Sequence, residues 1–136
     1  MRDTSQILAE ILVGGEPLRI HLIGVAGSGM SGLAGLLLAL GHDVSGSDKV
    51  DTVEVERLQK LGLKFYQPQA AENVRDADLV IFSSAIRPGN VEYDEAYRLR
   101  LNMVRRADAL AFGDEIADGM NLDEVRRSGT SDRYAG

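Results

Sequence analysis

A run of nine residues, Gly24-Val25-Ala26-Gly27-Ser28-Gly29-Met30-Ser31-Gly32, constrains this chain more than any other feature. It follows a β-branched apolar stretch, residues 19–25, and leads into a second apolar stretch, residues 30–40, that Gly41 stops. The first reads as a buried strand and the second as a buried helix ended by its glycine. Gly27-Ser28-Gly29-Met30-Ser31-Gly32 fits the pattern G-x-G-x-x-G. Each glycine has its own physical reason. Gly27 permits the tight turn out of the strand, Gly29 keeps a Cβ away from an approaching pyrophosphate, and Gly32 lets the helix pack close to the strand. The first-turn N–H groups and the positive end of the helix dipole then favour an anion. Ser28 and Ser31 add hydroxyl donors. Asp48 stands 21 residues after Gly27, just past the next predicted strand, where a carboxylate accepts ribose hydroxyls. On this pattern alone NAD is as good a ligand as any other dinucleotide-like anion. The bland alternative is that the glycines only shape a tight turn.

The alternation continues along the chain. Residues 43–47 predict a second strand. Asp51 predicts the cap of a helix over 52–61, with Glu54 closing a capping box and Gly62 ending it. Residues 63–66 predict a short third strand, and residues 70–74 a single helical turn. Residues 79–83 predict a strong fourth strand. Arg87-Pro88-Gly89-Asn90 is a turn, residues 91–101 a charged surface helix, and residues 102–104 a last strand. Residues 107–112 begin another helix. Apolar strands alternating with helices imply an α/β fold: a doubly wound, Rossmann-like parallel sheet of about five strands in a single domain. The expected division is a helix and linker over 1–18, the Rossmann-like domain over 19–111, and an irregular acidic tail over 112–136. Ser83-Ser84-Ala85-Ile86 closes the fourth strand. Ligands of open α/β sheets lie outside those strand ends, so two adjacent hydroxyls there suit a nucleobase or a phosphate. A strand-end turn satisfied by its own backbone is the competing reading.

Composition removes several functions. The net charge of -6 sits in the flanks: -2 over residues 1–18, zero over 19–106 and -4 over 107–136. Without a basic stripe, nucleic acid is not expected as a partner. Cysteine is absent, which excludes disulfides, a thiolate zinc site and a thiol nucleophile. The two histidines, His21 and His42, fall on different predicted elements, so no metal site is expected. His21 reads as a hydrogen-bonded structural residue within the first strand, and Arg105-Arg106 as a contact to a ligand phosphate or to another domain, with an exposed pair as the bland alternative. Residues 22–41 carry no charge and reach membrane-spanning length, but six glycines break them into strand, loop and helix. Glu10 interrupts the only N-terminal apolar run, so no export signal is visible and a cytoplasmic location is expected. No glycine is followed by lysine, so there is no P-loop.

Taken together, residues 21–48, 56–62, 83–86 and 104–110 resemble the N-terminal domain of the Mur ligases, most closely the members that join L-alanine to UDP-N-acetylmuramate. The resemblance implies a Rossmann-like domain that binds UDP-N-acetylmuramate rather than NAD. It implies that Gly27, Ser28, Gly29, Met30 and Ser31 cradle the diphosphate, that Asp48 holds the uridine ribose, and that Ser83, Ser84, Ala85 and Ile86 border the uridine pocket. The family's ATP and magnesium belong to a central domain, and the ATP-dependent ligase passes through an acyl phosphate. After residue 111 this chain departs from the family's ATP-binding glycine loop. An acyl phosphate needs phosphate clamps and a metal. The 136 residues are therefore expected to be catalytically incomplete, truncated before the ATP-binding and C-terminal domains, with those domains or a second copy as partners. Two other readings stand beside this one: a stand-alone NAD-binding domain and a non-catalytic interaction module.

Overall fold

A computed structural model describes residues 16–27 and 29–109. The expected N-terminal helix, Ser28 and the expected acidic tail lie outside the described residues. Five strands alternate with helices: β1 (Arg19–Ile23), α1 (Met30–Ala39), β2 (Asp43–Ser47), α2 (Val53–Lys60), β3 (Lys64–Tyr66), a single 3-10 turn (Ala71–Val74), β4 (Leu79–Phe82), α3 (Val91–Arg98) and β5 (Asn102–Arg105). The strands form one sheet in the order β3-β2-β1-β4-β5, and every pairing is parallel. This is the doubly wound α/β architecture. The strand order reverses between β1 and β4, so a crevice opens at their carboxyl ends.

The two-residue period of each strand sorts its side chains onto two faces. Ile20 and Leu22 of β1 join Val44, Leu79, Ile81 and Val104 on one face, under Met30, Leu33 and Leu37 of α1 and Val55 and Leu58 of α2. Each such fully buried aliphatic side chain contributes about 1.5–3 kcal/mol. The opposite face carries a smaller cluster, Ile23, Val74, Val80 and Ala96. Beside that cluster the same face is polar: His21, Ser45 and Ser47 are register neighbours or near neighbours on β1 and β2. Apolar packing thus fastens α1 and α2, whereas α3 meets β1 and β2 partly through polar groups.

Several local expectations are corrected. β1 ends at Ile23, because Gly24 takes a left-handed φ of 87° and the N–H groups of Gly24 and Val25 both donate to the Ser47 carbonyl. Thr52, not Asp51, caps α2: its backbone is still extended, and its Oγ1 accepts from Val55 N at 3.2 Å. Starting one residue later puts Val55 where a capping box needs Glu or Gln. The surface helix is shorter and less exposed than its charge suggested. It ends at Arg98, and Glu92 and Glu95 on it are buried. Residues 106–109 are helical after β5, and the remainder of that predicted helix lies outside the described residues.

Candidate functional site

The crevice is built from the carboxyl end of β2. The Ser47 carbonyl accepts from Gly24 N at 2.9 Å and from Val25 N at 3.0 Å. Asp48 follows: its Oδ2 accepts from Ala26 N at 3.0 Å, and its Oδ1 from its own neighbour Lys49 N at 2.7 Å. Two consecutive residues of β2's exit therefore hold three consecutive amides of the glycine loop. The carboxylate predicted to meet a ribose spends much of its capacity on backbone. Gly46 completes this seam. A Cβ there would lie 2.7–2.9 Å from three carbons of the Val25 side chain, so only glycine lets the loop settle onto β2.

Beyond this seam the loop turns into α1. The Met30 and Ser31 N–H groups close onto the Gly27 carbonyl at 3.1 and 3.3 Å, so both amides predicted to face an anion also serve the turn. Gly29 occupies the N-cap with φ 84°, a left-handed conformation that L side chains rarely adopt. Over it lies Arg106: a Cβ on Gly29 would stand 2.6 Å from an Arg106 guanidinium nitrogen. Sequence reasoning left Arg106 undecided, because the loop and the end of β5 are brought together only by the sheet order. Its neighbour Arg105 points elsewhere, to Asp108 at 3.4 Å. A guanidinium over the glycine turn at a helix N-terminus is a charge arrangement that suits a phosphate.

The opposite wall is the segment after β4. Ser83 N donates to the Ile23 carbonyl at 3.4 Å, and Ile86 N to the Ser83 carbonyl at 3.0 Å. A Cβ on Gly24 would stand 3.1 Å from Ser83 Oγ and 3.8 Å from the Ile86 side chain. Thus Ser83 and Ile86 abut the glycine loop, while Ser84 and Ala85 form the exposed tip of the turn. The two motifs, far apart in sequence, meet at the switch point.

One buried group was missed by the sequence reading. Glu92, at the second position of α3, is wholly inaccessible. Its Oε1 accepts from His21 Nε2 at 2.8 Å and from Ser47 Oγ. Its Oε2 accepts from Asn73 Nδ2 at 2.7 Å and from Ala70 N at 3.0 Å. Burial pushes the carboxyl pKa up, but the His21 hydrogen bond and charge, then the Ser47 and Asn73 bonds, bring it below the ordinary value. An ionised Glu92 requires the proton on His21 Nε2, and His21 Nδ1 meets Ser45 Oγ at 2.8 Å. The structural role expected of His21 therefore holds. No periodicity signals Glu92, because on sequence it is one acidic residue among several on a charged helix.

A groove of about 550 Å³ lies toward the other end of the sheet, lined by Arg19, Asp43, Ser45, Lys64, Tyr66 and Asn73 among others. Arg19, Asp43 and Lys64 are the first residues of their strands, so this groove opens at the amino ends of the strands and runs along the polar face to Tyr66, the last residue of β3. Ligands of such sheets lie at the opposite, carboxyl ends. Among the described residues no group of three or more His, Asp or Glu could hold a metal ion.

A family model described as "Mur ligase family, catalytic domain" matches residues 19–112. The chain belongs to the Mur ligase family. It is 50% identical over 92 residues to the UDP-N-acetylmuramate–L-alanine ligase of Ruegeria sp., covering 68% of this chain and 20% of that relative. The corresponding ligase of Bdellovibrio bacteriovorus is 47% identical over 93 residues, with the same coverage. Among solved structures, the UDP-N-acetylmuramate-alanine ligase of Thermotoga maritima superposes with a TM-score of 0.67 at 35% identity, over 74% of this chain and 23% of that one. The chain thus spans about a fifth of the length of the curated relatives it matches. An NADP-bound transcriptional regulator, NmrA, shares the fold at 18% identity and a TM-score of 0.55. A doubly wound sheet of this kind therefore does not by itself choose between a dinucleotide and a nucleotide sugar.

Proposed function

We propose that residues 19–111 form the UDP-N-acetylmuramate-binding module of a ligase that joins L-alanine to that nucleotide sugar in peptidoglycan synthesis. The observation that carries this reading is the meeting of the glycine loop, the Ser83–Ile86 turn and Arg106 at one switch-point crevice, in a chain of this family. In this reading Gly27, Ser28, Gly29, Met30 and Ser31 surround the diphosphate, and Arg106 supplies charge to it. Asp48 offers its remaining lone pairs to the ribose while anchoring the loop. Ser83, Ser84, Ala85 and Ile86 border the uracil. ATP and magnesium do not fit the described residues: they hold no carboxylate cluster for a cation, and the sequence has no P-loop lysine. No phosphoryl-transfer step is assigned to this chain. A cytoplasmic setting belongs to the same proposal; among the described residues no helix is long and apolar enough to cross a membrane.

Thermal denaturation with and without ligand tests the reading. A ligand at a hundred times its Kd stabilises the folded state by about 2.7 kcal/mol, an upward shift of roughly 10–20 °C for a domain of this size. UDP-N-acetylmuramate is expected to produce such a shift and NADH none. Gly29→Asp forces a side chain into a left-handed backbone and sets a carboxylate where the diphosphate approaches. It is expected to lose the ligand shift while still melting cooperatively, lowered by about 1–2 kcal/mol. A wild-type chain that responds to NADH and ignores the nucleotide sugar refutes the assignment.

A further inference from the structure

The two walls of the crevice belong to different parts of the sheet. One is the glycine loop, fastened to the exit of β2 by the Ser47 carbonyl and the Asp48 carboxylate. The other is the segment 83–89, which leaves β4 and enters α3 through its cap, Asn90. The sheet fixes where this segment starts. Where it ends depends on how the N-terminus of α3 is seated. That end is tied directly to β2 at one atom, Ser47 Oγ, and to β1 through the Glu92–His21 hydrogen bond. Glu92 Oε1 accepts from Ser47 Oγ, and Asn90 Nδ2 donates to Gln69 Oε1 at 2.8 Å, whose Nε2 reaches the same Ser47 Oγ at 3.4 Å. The residue whose carbonyl holds the glycine loop thus uses its hydroxyl to hold α3. Charge makes the tie strong, since the carboxylate accepts four hydrogen bonds away from water.

We propose that Glu92 is a positioning residue: through Ser47 it fixes the spacing between the diphosphate wall and the uridine wall of the crevice. This rests on the nucleotide-sugar reading above. A ligand spanning both walls needs that spacing, and a ligand touching only the glycine loop does not. A carboxylate that served stability alone would not separate the two.

Glu92→Gln is the informative variant, because the pocket can adapt to it. The Gln carbonyl can face Ala70 N and Asn73 while its NH2 donates to His21 Nε2, and His21 then moves its proton to Nδ1 and donates to Ser45. The fold survives, but the Ser47 hydroxyl loses its charged acceptor. The ring nitrogen shifts of His21 report the tautomer exchange directly. Wild type, Glu92→Gln and Ser47→Ala are titrated by NMR with UDP-N-acetylmuramate and, separately, with inorganic pyrophosphate. The expected result for both variants is a Kd for the nucleotide sugar raised by about tenfold or more. Pyrophosphate affinity should stay within about twofold of wild type. Wild-type affinity for both ligands in both variants overturns the proposal, as does an equal loss for both ligands. If Glu92→Gln does not fold, Ser47→Ala decides by itself, since it removes the shared hydroxyl and leaves the strand backbone in place. A folded wild type that takes up pyrophosphate but not the nucleotide sugar refutes the ligand reading itself, and the positioning role with it.

Discussion

Gly46→Ala tests how the loop is seated on β2, and its cost can be worked from geometry. The added methyl carbon would stand 2.7, 2.8 and 2.9 Å from Val25 Cβ, Cγ1 and Cγ2, where ordinary contact begins at 3.4 Å. Each contact is thus at least 0.5 Å too short. Val25 cannot swing its side chain clear, because the nearest atom is its Cβ, fixed to backbone that Ser47 holds through the Val25 amide. Either the loop lifts off β2 and weakens the amide bonds to Ser47, or the strand shifts within a sheet paired on both sides. Overpacking of this kind costs about 1–3 kcal/mol. For a domain of this size that is a melting temperature lowered by roughly 5–20 °C. Calorimetry of four chains reads it: wild type, Gly46→Ala, Val25→Ala and the double variant. Val25→Ala alone loses packing; it removes the two Cγ carbons that the new methyl meets but keeps the Cβ at 2.7 Å, so it relieves only part of the clash. The double variant is therefore expected to be less destabilised than the two single losses added together, with a coupling of about 1 kcal/mol. Nucleotide-sugar affinity is expected to fall in Gly46→Ala and to recover partly in the double variant. A Gly46→Ala chain melting with the wild type refutes the seam.

Two further outcomes follow from the ionised and capped groups. Glu95 is held down to about 2 by hydrogen bonds from Arg98 and Arg75, and Glu92 is also held below the ordinary carboxyl range. Lowered folded-state values mean stability that is complete above the unfolded carboxyl pKa of roughly 4.3 and is lost as pH falls toward the folded values. Urea midpoints should be level from pH 5 to neutrality in the wild type as far as these groups decide it, and should fall between about pH 4.3 and 2. Glu95→Gln should flatten that fall, and an unchanged slope would show that the pairs with Arg75 and Arg98 contribute nothing. Thr52→Ala should cost about 1 kcal/mol by removing the cap of α2, whereas Asp51→Ala should leave the melting temperature unchanged. The reverse ranking would restore Asp51 as the cap.

Local chemistry made most of the fold legible in advance. Alternating apolar runs and glycine stops placed all five strands within a residue or two, and the parallel sheet followed from strands buried on both sides. The glycine loop was legible because a strand that turns straight into a helix requires residues without a Cβ, and Gly29 does take a left-handed conformation. The cap of α2 was misplaced by one residue, because Asp51 and Thr52 are both good caps and only backbone geometry chooses between them.

What the order of residues determined, then, was the elements, their parallel assembly and the candidate anion turn, since each depends on side-chain types at short spacings. The pairing of the two walls was decided elsewhere. Ser83 meets Gly24 and Arg106 covers Gly29 only because the strand order reverses between β1 and β4 and sets β5 beyond them. Glu92 is the clearest case: on a sequence it is one acid among several, and it becomes a buried four-bonded carboxylate only when β1, β2, the 3-10 turn and α3 converge on it. Burial and hydrogen-bond satisfaction are properties of neighbours in space, and three of these neighbours are 71, 45 and 19 residues away along the chain.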